Sequence, residues 1–138
     1  MGVILDTSVL IGAERDLFDM PAFLASLGDA PVSIAAISAS ELLHGVERAK
    51  RPAARAARGR FVEGILTNIP VIPFGLDEAR MHARIWAGLA ARGTAVSAHD
   101  LLIAATALSV GSAVATLDRR HFGRIKGLIL ASTEPFSR

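Results

Sequence analysis

The chain has 138 residues, and fifteen Lys and Arg against thirteen Asp and Glu give a formal net charge of +2. That length suits one domain, and that charge excludes a polybasic tail. No Cys and no Tyr are present, which excludes disulfide scaffolds, thiolate metal sites and thiol or tyrosyl nucleophiles.

Val3-Ile4-Leu5 reads as a short buried strand closed by Asp6-Thr7-Ser8. No basic residue precedes it and Asp6 interrupts its apolar run, so no signal peptide is expected. Together with the missing Cys this suggests a reducing, cytoplasmic setting. Residues 17–27 give a short apolar helix ending at Gly28, and Pro31 to Ile34 a second strand. Ser38 opens a helix with Leu42, Leu43, Val46 and Ala49 on its inner side. The next helix covers 53–67, with Ala54, Ala57, Phe61 and Ile65 at helical spacing. Pro70 to Pro73 is a brief extended segment. Residues 76–92 give the clearest helix: Leu76, Ala79, Ala83, Trp86 and Ala90 form one stripe, and Gly93 stops it. That stripe reads as core or dimer surface and not as a base-stacking platform, since the chain has only seven aromatic residues and no Tyr. Ser97 to Ser109 is another helix, Ala113 to Leu117 a buried strand and Leu128 to Leu130 a last one. Residues 101–117 carry no charge, but their Thr, Ser and Gly content reads as a buried helix and strand, not as a membrane span.

Strands alternating with helices imply a mainly parallel sheet covered on both faces, an α/β domain over residues 1–138. Ligands of such sheets bind beyond the carboxyl ends of the strands. Four acids fall there. Asp6 and Asp118 each follow a strand, and Glu41 and Asp100 each lie in the first turn of a helix. Each has a plain structural reading. Ser38-x-x-Glu41 and Ser97-x-x-Asp100 are capping-box patterns, and Asp6 and Asp118 can cap the turns after them. Four carboxylates gathered at one edge also repel, and a divalent cation relieves that cost. Hard oxygen ligands suit Mg²⁺ or Mn²⁺, which activate water for in-line displacement at phosphorus.

Four segments carry a resemblance. They are Val3-Ile4-Leu5-Asp6-Thr7-Ser8-Val9-Leu10-Ile11, Ser38-Ala39-Ser40-Glu41-Leu42-Leu43-His44-Gly45-Val46, His99-Asp100-Leu101-Leu102-Ile103-Ala104-Ala105-Thr106-Ala107 and Ala115-Thr116-Leu117-Asp118-Arg119-Arg120-His121-Phe122. In this order and spacing the chain resembles PIN-domain proteins, and more narrowly the VapC toxins of type II toxin–antitoxin systems. The resemblance implies a three-layer α/β/α sandwich. It also implies a Mg²⁺- or Mn²⁺-dependent endoribonuclease that cuts tRNA or ribosomal RNA. A VapB-like antitoxin would neutralise it, operator DNA would be bound only through the antitoxin complex, and the toxin would be a homodimer. The family's acids fall on Asp6, Glu41, Asp100 and Asp118, which serve as catalytic and metal residues, with Ser8 and Thr116 as supporting hydroxyls.

Thirteen of the fifteen cations are Arg, whose planar guanidinium suits bidentate phosphate contact. Arg119, Arg120 and Arg124 lie near the expected site and are candidate RNA contacts. The acid-free run holding Arg48, Lys50, Arg51, Arg55, Arg58 and Arg60 reads either as a phosphate- or partner-binding face or as the solvated side of an Ala-rich helix. Leu42, Leu43, Val46, Phe61 and Ile65 are assigned to an antitoxin groove by family analogy. Three other readings stay open: a metal-free nuclease using His44, His82, His99 or His121 as acid and base, a PIN-like module that binds RNA or a partner without cutting, and a small-ester phosphohydrolase. The last lacks a second Asp at position 8, which is Ser.

Overall fold

A computed structural model describes residues 1–138. β1 (Val3–Leu5) leads into α1 (Thr7–Glu14) and α2 (Met20–Ser26). β2 (Val32–Ala35) runs straight into α3 (Ala36–Glu47), and α4 (Pro52–Asn68) is followed by β3 (Val71–Ile72). α5 (Leu76–Ala91), α6 (Ala98–Ser109), β4 (Ala113–Ala115) and α7 (Arg119–Phe122) follow, with a 3₁₀ turn at Glu134–Phe136.

The four strands pair in the order β3-β2-β1-β4, all parallel. Alternation along β1 divides its side chains between the two faces. Val3 and Leu5 join a core with Val9, Leu10, Phe18, Phe23, Leu42 and Val62, so α1 to α4 cover that face. Ile4 joins Leu89, Leu101, Ile103 and Phe122 on the other, under α5, α6 and α7. The result is the expected three-layer sandwich. The connection after β3 crosses to the far side of β1. The strand order therefore switches between β1 and β4, where parallel sheets open a crevice at their carboxyl ends.

Several elements differ from expectation. The turn after Asp6 is itself a helix, α1. Its Thr-Ser-Val-Leu-Ile-Gly-Ala run has little amphipathic signal, since Thr7, Val9, Leu10 and Gly12 are all buried. α2 begins at Met20, because Pro21 sits in its first turn and Asp19 Oδ1 accepts from Ala22 N at 3.1 Å. Leu128 to Leu130 contributes one parallel bridge, Val114 to Leu130, and no full strand. α5 turns a different face inward. Leu89 is buried and Ile85 packs beside it, whereas Trp86 is 61% exposed. Met81, Ile85 and Leu89 form a competing i, i+4, i+8 stripe, and α5 turns that one inward against α6. Glu78 ties α5 to α6: Oε1 accepts from Gly75 N and Oε2 from Ser109 Oγ, both at 2.8 Å.

Candidate active site

The site grows from the end of β1. Asp6 N donates to Ala115 O at 2.9 Å, which pins Asp6 beside β4 at the switch point. Asp6 stands at the N-cap of α1, yet its side chain makes no cap bond. Its Oδ2 accepts instead from Ser8 Oγ at 2.7 Å and from Thr116 Oγ1 at 2.8 Å. Backbone donors occupy the acceptor sides of both hydroxyls: Leu117 N reaches Ser8 Oγ at 3.0 Å and Asp118 N reaches Thr116 Oγ1 at 2.9 Å. Their protons are thereby directed at Asp6. The carboxylate is only 4% exposed. Burial pushes its pKa above the ordinary carboxylate value, the hydroxyl and backbone donors oppose that, and the Glu41 charge adds to the rise.

Glu41 is placed by α3. That helix starts at Ala36 with Ala35 as its cap residue, so Glu41 lies in the second turn, one turn later than expected. Ser38 does not cap. Its buried hydroxyl stands 3.0 Å from Thr7 Oγ1, and Thr7 donates to Glu41 Oε1 at 2.7 Å. His99 Nδ1 lies 3.2 Å from Glu41 Oε2, so the carboxylate is held from both ends.

Ser97 and Asp118 do cap their helices, but Asp100 does not close the expected box, since its carboxylate makes no return bond to Ser97 N. Ser97 Oγ accepts from Asp100 N at 3.2 Å, which leaves the Asp100 carboxylate free to face the crevice, and Asp118 Oδ1 accepts a long bond from His121 N at 3.5 Å. Asp118 Oδ2 also lies 2.6 Å from His121 Nδ1. The Asp100 pKa is raised, first by burial, against the lowering bond to Ser97, and then by repulsion from Asp6 and Asp118. The chain of mutual repulsion, Glu41 on Asp6 and Asp6 and Asp118 on Asp100, means the fold brings all four acids into one electrostatic neighbourhood. Ligand atoms of Asp100, Asp118 and His121 all fall within 4.8 Å of one another.

Two histidines, which the sequence offered only as acid or base of a metal-free nuclease, join the acids: His99 beside Glu41 and His121 beside Asp118. The signals for them were local: His99 precedes Asp100, and His121 stands one helical turn after Asp118. Thr7, which holds Glu41, had no such signal. The candidate RNA contacts divide. Arg119 Nη1 donates to Ala131 O at 2.8 Å and its Nε pairs with Glu134 at 3.0 Å. Arg124 Nη1 donates to Ala95 O at 2.8 Å. Arg120 makes neither a hydrogen bond nor an ion pair, and it is exposed. In the basic run, Arg55 pairs with Glu47 at 3.1 Å and Arg58 with Glu14 at 3.4 Å. Arg15, Arg48 and Arg58 line a small pocket together with Glu41, so part of that run does border the acids. A larger cavity of about 380 Å³ lies between α5 and α6, lined by His82, Trp86 and Leu89, and holds none of the four acids.

Comparisons with known proteins agree with this architecture. The PIN domain family model matches residues 3–128. Ribonuclease VapC1 of Rickettsia felis is 36% identical over 128 residues, covering 93% of both chains. The tRNA(fMet)-specific endonuclease VapC of Salmonella typhimurium is 33% identical, over 75% of this chain and 76% of its own. The crystal structure of DNA-bound VapBC from Salmonella typhimurium contains a chain 29% identical, with a TM-score of 0.83, covering 95% of this chain and 97% of that one. With the family model spanning nearly the whole chain and VapC relatives aligned along it, the chain belongs to the VapC group of the PIN-domain family.

Proposed function

We propose that the chain, as one PIN-like domain over residues 1–138, is the toxin of a type II toxin–antitoxin pair. It is an endoribonuclease that hydrolyses RNA phosphodiesters with Mg²⁺ or Mn²⁺, and a VapB-like antitoxin neutralises it. The observation that carries this reading is the gathering of Asp6, Glu41, Asp100 and Asp118 at the β1/β4 switch, with Asp6 gripped by two hydroxyls instead of capping its helix. A module that only bound RNA would gain nothing from four acids that repel phosphate.

The residues fit a divalent cation. Burial and mutual repulsion disfavour the charged forms of Asp6 and Asp100, and the donors are hard carboxylate oxygens with one nearby nitrogen. When bound, the cation activates water and offsets charge on the phosphate. Asp6 and Asp100 would hold it, while Glu41 and Asp118 would complete its ligand set or orient the attacking water. Ser8 and Thr116 fix the rotation of the Asp6 carboxylate, and Thr7 and His99 fix that of Glu41. Water attacks and the 2′-hydroxyl does not, so the products end in 5′-phosphate and 3′-hydroxyl. Arg120 is the uncommitted cation for an RNA phosphate. Arg119 and Arg124 contribute by sharing the bonds they already make. Relatives named as tRNA(fMet)-specific endonucleases support tRNA as the substrate class, with ribosomal RNA the alternative.

The VapBC complexes among the similar structures support a VapB-like partner, with operator DNA bound through the complex. Leu43, Val46, Phe61 and Ile65 leave partly exposed apolar surface on α3 and α4 for it, whereas Leu42 is spent in the core. A homodimer belongs to the same reading, seated on the exposed Phe74, Leu76 and Trp86. No helix is long and apolar enough to cross a membrane, and a cytoplasmic location goes with an RNA substrate. Expression of wild type and of Asp6→Asn, with RNA 5′ ends mapped in the cells, tests the proposal. Wild type is expected to arrest growth and create new 5′-phosphate ends that the variant lacks. Identical end maps and identical growth would remove the toxin reading.

A further inference from the structure

The acids read alone give a metal site made only of oxygen. The structure adds a nitrogen. Asp118 opens the single helical turn Arg119–Phe122, which carries His121 back over it and leaves Nδ1 at 2.6 Å from Asp118 Oδ2. Asp100 approaches from the first turn of α6, and one donor atom from each of Asp100, Asp118 and His121 fits within 4.8 Å. Adjacent ligands held at about 2.1 Å from one octahedral ion stand about 3 Å apart, so small side-chain adjustments turn this trio into a set of ligands. No other side chain engages the His121 ring: its one hydrogen-bond partner is the Asp118 carboxylate.

We propose that His121 is a direct ligand of the divalent cation, alongside Asp100 and Asp118, and that its nitrogen makes the site prefer Mn²⁺ to Mg²⁺. This rests on the metal-dependent reading above. Mg²⁺ favours oxygen ligands and holds its water tightly, so an imidazole adds little to its binding. Mn²⁺ lies on the transition-metal series for which nitrogen donors raise affinity. His99 serves as the internal comparison. It too stands beside a site carboxylate, Glu41, but lies outside the trio.

The test uses the purified full-length chain with Mn²⁺ as the probe, following binding and ¹⁴N coupling by electron paramagnetic resonance. Bound Mn²⁺ is expected to show imidazole ¹⁴N coupling in wild type and in His99→Asn, and to lose it in His121→Asn. In competition, wild type is expected to favour Mn²⁺ over Mg²⁺ by about tenfold, and His121→Asn to bring the two within about threefold. Should His121→Asn fail to fold, His121→Gln takes its place. Mn²⁺ bound without nitrogen coupling, or coupling that survives loss of His121, overturns the inference and leaves the carboxylate site standing. Absence of any Mn²⁺ binding by wild type overturns the metal-dependent reading as well.

Discussion

Asp6 is buried against Ser8 and Thr116 and lies within the field of Glu41, while Asp100 is desolvated and faces Asp6 and Asp118. Both carboxyls titrate above their ordinary value of 3.8 in the folded chain. Between that value and the raised ones, the native state binds more protons than the unfolded chain. The ionised pair therefore lowers stability at neutral pH, and stability returns as pH falls through the raised pKa values. Asp100→Asn removes one of the repelling charges. In the absence of divalent cations it is expected to raise stability by about 0.5–2 kcal/mol, seen as a higher melting temperature, while cleavage is lost. An unchanged or lower melting temperature would show that the repulsion is not a cost the fold bears. At this scale the sequence singled out the four acids but not how each is held. Ser38-x-x-Glu41 matches a capping box, yet the helix starts three residues earlier, with Ala35 as its cap, and the Ser38 hydroxyl turns to Thr7. The local pattern lost to a partner 31 residues away.

Among the elements, α2 and the C-terminal turn depend on each other. Phe18, Phe23 and Phe136 meet edge to face, with centroids 5.4 Å apart for Phe18–Phe23 and Phe23–Phe136 and 6.3 Å for Phe18–Phe136. Thr133 Oγ1 donates to Thr116 O at 3.0 Å, so the same C-terminal segment buttresses the strand end that holds Asp6. Phe23→Ala is expected to cost about 3–5 kcal/mol, read as a fall in the urea midpoint. A loss below about 1 kcal/mol would mean that the segment packs without it. Helices α4, α5 and α6 were legible from sequence through their length and the Pro, Gly and Ser residues that bound them, as were the β-strands followed by Asp. α1 was not, because a short helix buried on several sides shows no contrast between its faces. For α5 the stripe was legible, but not which of core or dimer surface it served: two apolar stripes compete on one helix, and packing against α6 buries Leu89 and Ile85 and leaves Trp86 outside.

For the whole molecule, the α5 face left outside is the place to look for self-association. Trp86, Leu76 and Phe74 stay exposed, and His82 lies between Phe74 and Trp86, edge to face with the first and tilted against the second, with centroids 5.9 and 5.6 Å away. Trp86→Glu is expected to convert a dimer into a 14.5 kDa monomer by sedimentation, with an unchanged circular dichroism spectrum. A dimer that persists would place the interface elsewhere. The net charge of +2 now divides by place: repelling acids gather at the crevice, while Arg15, Arg48, Arg58 and Arg120 lie around or beyond it. Sequence alone determined the α/β class and placed Asp6 and Asp118 after strands and Asp100 at a helix start, because apolar runs, turn residues and motif spacing are local properties of the chain; Glu41 it set one turn too early. Tertiary structure alone decided that β4 lies beside β1, that Thr116 reaches Asp6 from 110 residues away, and that His99 and His121 face the carboxylates. The reason is physical: strand order and side-chain partners are fixed by packing on both faces of the sheet, and no local pattern encodes contacts across such separations.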